Sequence, residues 1–210
     1  MRTRIKICGI TNPADALAAL EAGADYLGLV LTESPRRVSL DDARRIRAAV
    51  PASTPLVGVF ADEGPDAVAP MAEALQLAAV QVRGWLDRGD PPGRDVWHVI
   101  RGASLPETST LPMVPLRTYH LDAFDPARPG GTGKVADWDW AKRAVDGGFR
   151  IFVAGGLAPE NVDRLVLDVR PFGVDASSGL ESSVGKKSPE RMRDFVERVR
   201  AADRARPKRS

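Results

Sequence analysis

Eight short apolar runs of strand length recur along the chain, each followed by a turn or a helical pattern. They are Arg4–Cys8, Tyr26–Leu31, Leu56–Phe60, Ala78–Val82, Val96–Ile100, Thr118–Leu121, Phe149–Val153 and Phe172–Ala176. Most are continuous rather than alternating. Continuous apolar runs mark strands buried on both faces, which parallel sheets require and one-sided antiparallel sheets do not.

Helical patterns fill most of the gaps. Asn12 caps Pro13–Ala22, with proline at the first helical position and Gly23 just beyond the end. Ser39 caps a helix over Leu40–Val50, and Pro65–Leu77 follows. Further helices are expected over Asp137–Val145, Pro159–Leu167 and Ser188–Ala202, the last with Met192, Phe195, Val196 and Val199 on one face. Alternation of strand and helix implies an α/β fold with right-handed crossovers. Eight units imply a single (β/α)8 TIM barrel over residues 1–200.

The chain is short for that fold. Its 210 residues sit near the floor of about 200 for a barrel that typically takes about 250. The saving falls after the fourth and fifth runs. The first of those gaps contains Pro91, Pro92 and Gly93, which cannot continue a helix. The second contains three prolines and no helical period. The helices after strands four and five are therefore expected to be shortened or missing.

The formal charge is +2, from 30 Lys and Arg against 28 Asp and Glu. Residues 201–210 hold Arg204, Arg206, Lys208 and Arg209 against Asp203, so the remainder is close to neutral. Such a basic end reads as a solvated, disordered tail before it reads as a nucleic-acid arm. A single cysteine excludes an internal disulfide and fits a reducing, cytoplasmic setting. No apolar run approaches the ~18 residues of a membrane span. The N-terminal residues lack the long apolar stretch of a signal peptide. One cysteine and two histidines, His98 and His120, leave little for a metal site.

Barrel active sites lie at the C-terminal strand ends. The first run ends in Cys8, a candidate base or nucleophile, or else a small buried hydrophobe. The sixth ends at Asp122, a candidate acid or a turn cap, with His120 on the same face as a packed, hydrogen-bonded core histidine. Asp125 could cap the turn that follows, and GGTGK (Gly130–Lys134) is a candidate lid. The seventh and eighth runs lead into AGGL (Ala154–Leu157) and DASSG (Asp175–Gly179), small-residue loops placed where barrels often bind phosphate. Arg36 and Arg37 follow the second run, as carboxylate ligands or as solvated charge.

KICGIT (Lys6–Thr11), SPRRV (Ser34–Val38), HLDAF, GGTGK, AGGLAPENV (Ala154–Val162) and VDASSGLE (Val174–Glu181) occur in this order. Together they resemble the phosphoribosylanthranilate isomerase family of tryptophan biosynthesis over nearly the whole chain. The resemblance implies an Amadori rearrangement of N-(5′-phosphoribosyl)anthranilate to the carboxyphenylamino-deoxyribulose 5-phosphate. It assigns Cys8 as general base and Asp122 as general acid. Arg36 matches the ligand of the anthranilate carboxylate, and Asp175 a polar residue near substrate. Gly155, Gly156, Ser178 and Gly179 match the phosphate site. Proton transfers suffice, so no cofactor or metal is implied. The partner is a small phosphoribosyl compound, with no nucleic acid or membrane, and the chain is a monomer or homodimer.

Three departures stand out. Arg83 replaces a histidine that faces substrate in the family, which makes it a candidate substrate contact. Ala136 replaces a phenylalanine, and the fourth and fifth units are short. Two other readings follow from these departures. One is a related isomerase with a shifted or dual, histidine-pathway substrate. The other is a non-catalytic barrel that binds a phosphorylated ligand.

Overall fold

The computed structural model describes residues 2–83, 95–101, 106–111, 117–123 and 137–206. Eight strands close into one barrel: β1 (Arg4–Cys8), β2 (Tyr26–Val30), β3 (Leu56–Val59), β4 (Ala79–Val82), β5 (Asp95–Ile100), β6 (Thr118–Leu121), β7 (Arg150–Val153) and β8 (Gly173–Ala176). Every neighbouring pair is parallel, and β8 closes on β1 with Lys6 in register with Asp175. The expected strands lie within a residue or two of these bounds.

Among the described residues the helices are α1 (Pro13–Ala22), α2 (Leu40–Ala49), α3 (Pro65–Ala74), α4 (Trp138–Asp146), α5 (Pro159–Val169) and α6 (Pro189–Ala205). None is long and apolar enough to cross a membrane. Their starts are set locally. Asn12 and Ser39 accept hydrogen bonds from the backbone N–H of Asp15 and Asp42, satisfying donors that a first turn leaves free. A short hairpin, β9 (Glu181–Ser183) with β10 (Lys186–Lys187), stands between β8 and α6.

The strands separate two apolar layers by their alternation. Ile5, Ile7, Leu27, Leu29, Val80, Tyr119, Ile151 and Val174 face outward into the core beneath the helices. Val57, Ala79, Trp97 and Phe152 point inward and, with Tyr26 and Phe172, plug the lower barrel. Trp97 stacks on Phe152 with ring centroids 4.5 Å apart. The plug leaves polar inward positions further along the same strands to form the mouth.

The expectation of a missing helix after β4 falls on residues 84–94, which lie outside the described residues. After β5 the described stretch 106–111 holds one 3-10 turn, Thr108–Thr110. Trp140 of α4 is buried and donates its indole N–H to the carbonyl of Pro106 at 2.7 Å. Coil docked on α4 thus covers part of the flank.

The expected disordered tail from residue 201 is corrected. Helix α6 continues to Ala205, and its end is tied to the start of β1. Asp203 accepts from the backbone N–H and hydroxyl of Thr3 at 3.0 and 2.7 Å. Arg206 pairs with Asp203 and donates to the Thr3 hydroxyl at 2.7 Å. Two charges that read as solvated in the sequence, Asp203 and Arg206, are thus engaged with Thr3 at the start of the chain. Residues 207–210 lie outside the described residues.

Candidate active site

A cavity of about 210 Å³ opens at the C-terminal ends of the strands. Eight of the expected site residues line it: Cys8, Arg36, Arg83, Asp122, Gly155, Gly156, Asp175 and Ser178. Gly179 is not on its wall. A Cβ at Gly179 would stand 2.1 Å from the carbonyl oxygen of Leu157, so the residue lets the loop after β8 press onto the loop after β7. Asp125 and the GGTGK loop lie outside the described residues.

Cys8 and Lys6 share the inward face of β1, two residues apart. Gly28 on β2 makes room for both. A Cβ there would lie 2.8 Å from Cys8 Sγ and 3.0 Å from Lys6 Cε. Lys6 is fully buried and donates to Asp175 Oδ2 at 2.7 Å. The same oxygen meets His120 Nε2 at 2.7 Å. A carboxylate oxygen can only accept, so His120 carries its proton on Nε2. His120 is therefore both the hydrogen-bonded core histidine expected from sequence and part of the cavity wall.

The titrations follow from this packing. Burial alone would raise the Asp175 carboxyl, but the Lys6 ammonium and the His120 hydrogen bond outweigh it and hold the group below the usual range. Burial pushes the Cys8 thiol up, with the Lys6 charge opposing. Burial also pushes the Asp122 carboxyl up against the pull of His120 and Arg101. Arg101 Nε lies 3.9 Å from Asp122 Oδ2.

Replacing Asp175 by Asn would leave Lys6 as an uncompensated buried cation. The expected cost is about 3–5 kcal/mol, read as a lower urea midpoint. An unchanged midpoint would show that the pair carries no such strain.

Arg36 reaches the mouth from the loop after β2. Its Nε and Nη2 each donate to Glu181 at 2.7 Å, a two-pronged pair. Glu181 also accepts from Lys187 Nζ at 2.8 Å, and that ammonium is bound to the Ser177 carbonyl at 3.2 Å. The hairpin therefore fixes the guanidinium plane. Gly155 and Gly156 adopt φ of +83° and +64°, a left-handed turn that L side chains rarely adopt. Arg83 stands half exposed at the rim, 3.7 Å from Asp62.

Sequence reasoning did not single out Lys6, Arg101 or Glu181. For Lys6 a signal was present: a charged residue in a run otherwise buried on both faces needs an interior partner. Its partner is 169 positions away.

Residues 5–198 match the family model for N-(5′-phosphoribosyl)anthranilate (PRA) isomerase. The chain is 39% identical over 205 residues to the N-(5′-phosphoribosyl)anthranilate isomerase of Trichlorobacter lovleyi, covering 95% of this chain and 98% of that one. It superposes on the phosphoribosyl anthranilate isomerase of Thermotoga maritima with a TM-score of 0.81 and 35% identity, covering 95% and 99% of the two chains. A second solved isomerase, in complex with reduced 1-(o-carboxyphenylamino)-1-deoxyribulose 5-phosphate, matches with a TM-score of 0.77 and 33% identity over the same shares. A family match across almost the full barrel, with relatives of nearly equal length, places this chain in the N-(5′-phosphoribosyl)anthranilate isomerase family.

Proposed function

We propose that the chain converts N-(5′-phosphoribosyl)anthranilate to 1-(2-carboxyphenylamino)-1-deoxyribulose 5-phosphate, a step of tryptophan biosynthesis, with Cys8 as general base and Asp122 as general acid. The observation that carries this reading is one cavity lined by a thiol at the end of β1 and by a carboxyl beyond β6 that burial keeps protonated to higher pH. An aldose-to-ketose shift needs one acid and one base, and no external oxidant.

Asp122 gives its proton to the ring oxygen, and the C1′–O bond breaks to leave an iminium. The Cys8 thiolate takes the C2′ proton. The electron pair of that bond forms the C1′=C2′ bond of an enolamine, while the iminium pair returns to nitrogen. Tautomerisation moves the enol proton to C1′ and yields the ketose. The phosphate is assigned to the loops at Gly155–Gly156 and Ser177–Ser178, with Gly179 allowing those loops to meet. Arg36, held by Glu181, is assigned the anthranilate carboxylate, and Arg83 a further contact at the rim. Asp175 Oδ1 is buried without a hydrogen-bond partner among the described residues, which suits it to accept from a ribose hydroxyl.

Arg36→Lys keeps the charge and loses the fork. It is expected to raise KM by about tenfold to a hundredfold, the equivalent of one charged hydrogen bond, with a smaller change in kcat. The reading as a whole is tested by turnover of N-(5′-phosphoribosyl)anthranilate by purified protein, followed by loss of anthranilate fluorescence, with the histidine-pathway aminoaldose as the comparison substrate. Faster turnover of the first supports it. Turnover of the second alone would shift the substrate, and turnover of neither would leave a binding barrel.

A further inference from the structure

We infer that Lys6 is a positioning residue for the proton transfer: its buried ammonium, gripped by Asp175, is the fixed counter-charge of the Cys8 thiolate. The inference rests on the reading of Cys8 as the base, and it explains how a thiol that burial pushes up can ionise at all.

The geometry begins with the strand. Lys6 and Cys8 are inward neighbours on β1, and both crowd the space that Gly28 leaves open, at 3.0 and 2.8 Å respectively from its missing Cβ. The ammonium cannot swing away. It is fully buried, held at 2.7 Å by Asp175 Oδ2, and that oxygen is held in turn by His120 at 2.7 Å. Three strands thus fix one cation beneath the thiol. A charge that does not reorganise when its partner ionises stabilises it more than a mobile one would.

Other charges face Cys8, and their balance sets the sign. Asp175 on β8 opposes ionisation, while Lys187 on β10 and Arg36 in the loop after β2 favour it. Lys187 and Arg36 share the single negative charge of Glu181, and Asp122 lines the same cavity. Lys6 outweighs Asp175 at the thiol. Removing the pair together therefore still leaves the thiolate poorer. No proton leaves Lys6 in the cycle. The C2′–H bond breaks and the S–H bond forms at Cys8.

Cys8 is the sole cysteine, so alkylation by iodoacetamide reads this thiolate and no other. The rate is measured against pH in the wild type, Lys6→Arg, Lys6→Met and Lys6→Met/Asp175→Asn. Lys6→Met is expected to raise the alkylation midpoint by about one pH unit or more, and the double variant by less. Lys6→Arg is expected to stay near the wild type. Relative to wild type at the same pH, the isomerase rate at neutral pH should fall about tenfold per unit of that rise, and the ratio should return towards one above the new midpoint. If Lys6→Met does not fold, the double variant decides, since losing both members of a buried pair is far milder than losing one. A midpoint unchanged in whichever of these variants folds overturns the inference, as does a rate loss that is the same at every pH. The alkylation midpoint reports on Lys6 whether or not Cys8 is the base. Failure of that role shows separately, as wild-type turnover by Cys8→Ser.

Discussion

Cys8→Ser is expected to lower kcat by about 10²- to 10⁴-fold, the usual worth of a positioned acid or base, while leaving the fold intact. The substitution keeps the size and the hydrogen-bonding capacity of the side chain. What it removes is an ionisable proton. A thiol needs only moderate help to become a thiolate, whereas a hydroxyl in the same buried place stays protonated at any pH the protein survives. Burial already pushes Cys8 up, so the site has no margin for a weaker acid. KM should change little, because the thiol acts on one C–H bond in the transition state rather than on bound substrate. The check is steady-state kinetics beside a thermal melt. A variant with the wild-type melt and wild-type kcat would remove Cys8 from the chemistry.

Asp122→Asn is expected to cost a similar factor for a different reason. The amide keeps the shape and can still donate a hydrogen bond, but it cannot deliver a proton to a ring oxygen whose bond to carbon is breaking. Ring opening then waits on water. Unlike Asp175, Asp122 meets no buried cation at hydrogen-bond distance among the described residues; Arg101 stands 3.9 Å off. The loss should therefore appear in kcat with little change in the unfolding midpoint. An acyclic aminoaldose that bypasses ring opening, supplied as substrate, should restore much of the rate. Equal slowing of the cyclic and the open substrate would mean that Asp122 acts elsewhere.

The local half of this molecule is legible in its sequence. The eight apolar runs fix the strands to within a residue or two, because strands buried on both faces read as near-continuous apolar runs. Helix starts follow from Asn12 and Ser39, whose side chains accept from N3. Placing the first and sixth strand ends on one mouth follows from barrel closure, so Cys8 and Asp122 could be expected to line one cavity, as they do.

The illegible half is made of long-range pairs. Lys6 with Asp175 and Arg36 with Glu181 are 169 and 145 positions apart. Register across the β1–β8 seam decides the first, and the small hairpin after β8 decides the second. The basic end of the chain misleads for the same reason. Counting charge over residues 201–210 cannot show that Asp203 and Arg206 close onto Thr3 at the other terminus.

The division of labour between the two groups is tested most directly by the pH dependence of kcat/KM in the wild type, Asp122→Asn and Cys8→Ser. On the proposed roles, activity needs Cys8 as thiolate and Asp122 as carboxylic acid. As pH rises, the thiolate grows and the acid is lost, so the wild type should give a bell. Both groups are raised, but a carboxyl starts far below a thiol. The rise should therefore end where Asp122 ionises, and the fall should begin where Cys8 is fully ionised. Asp122→Asn, with no acid to lose, should keep the rise up to the ionisation of Cys8 and then stay level. Cys8→Ser, with nothing to gain, should start level and fall as Asp122 ionises. A falling limb that survives in Asp122→Asn, or a rising limb that survives in Cys8→Ser, would contradict the assignment.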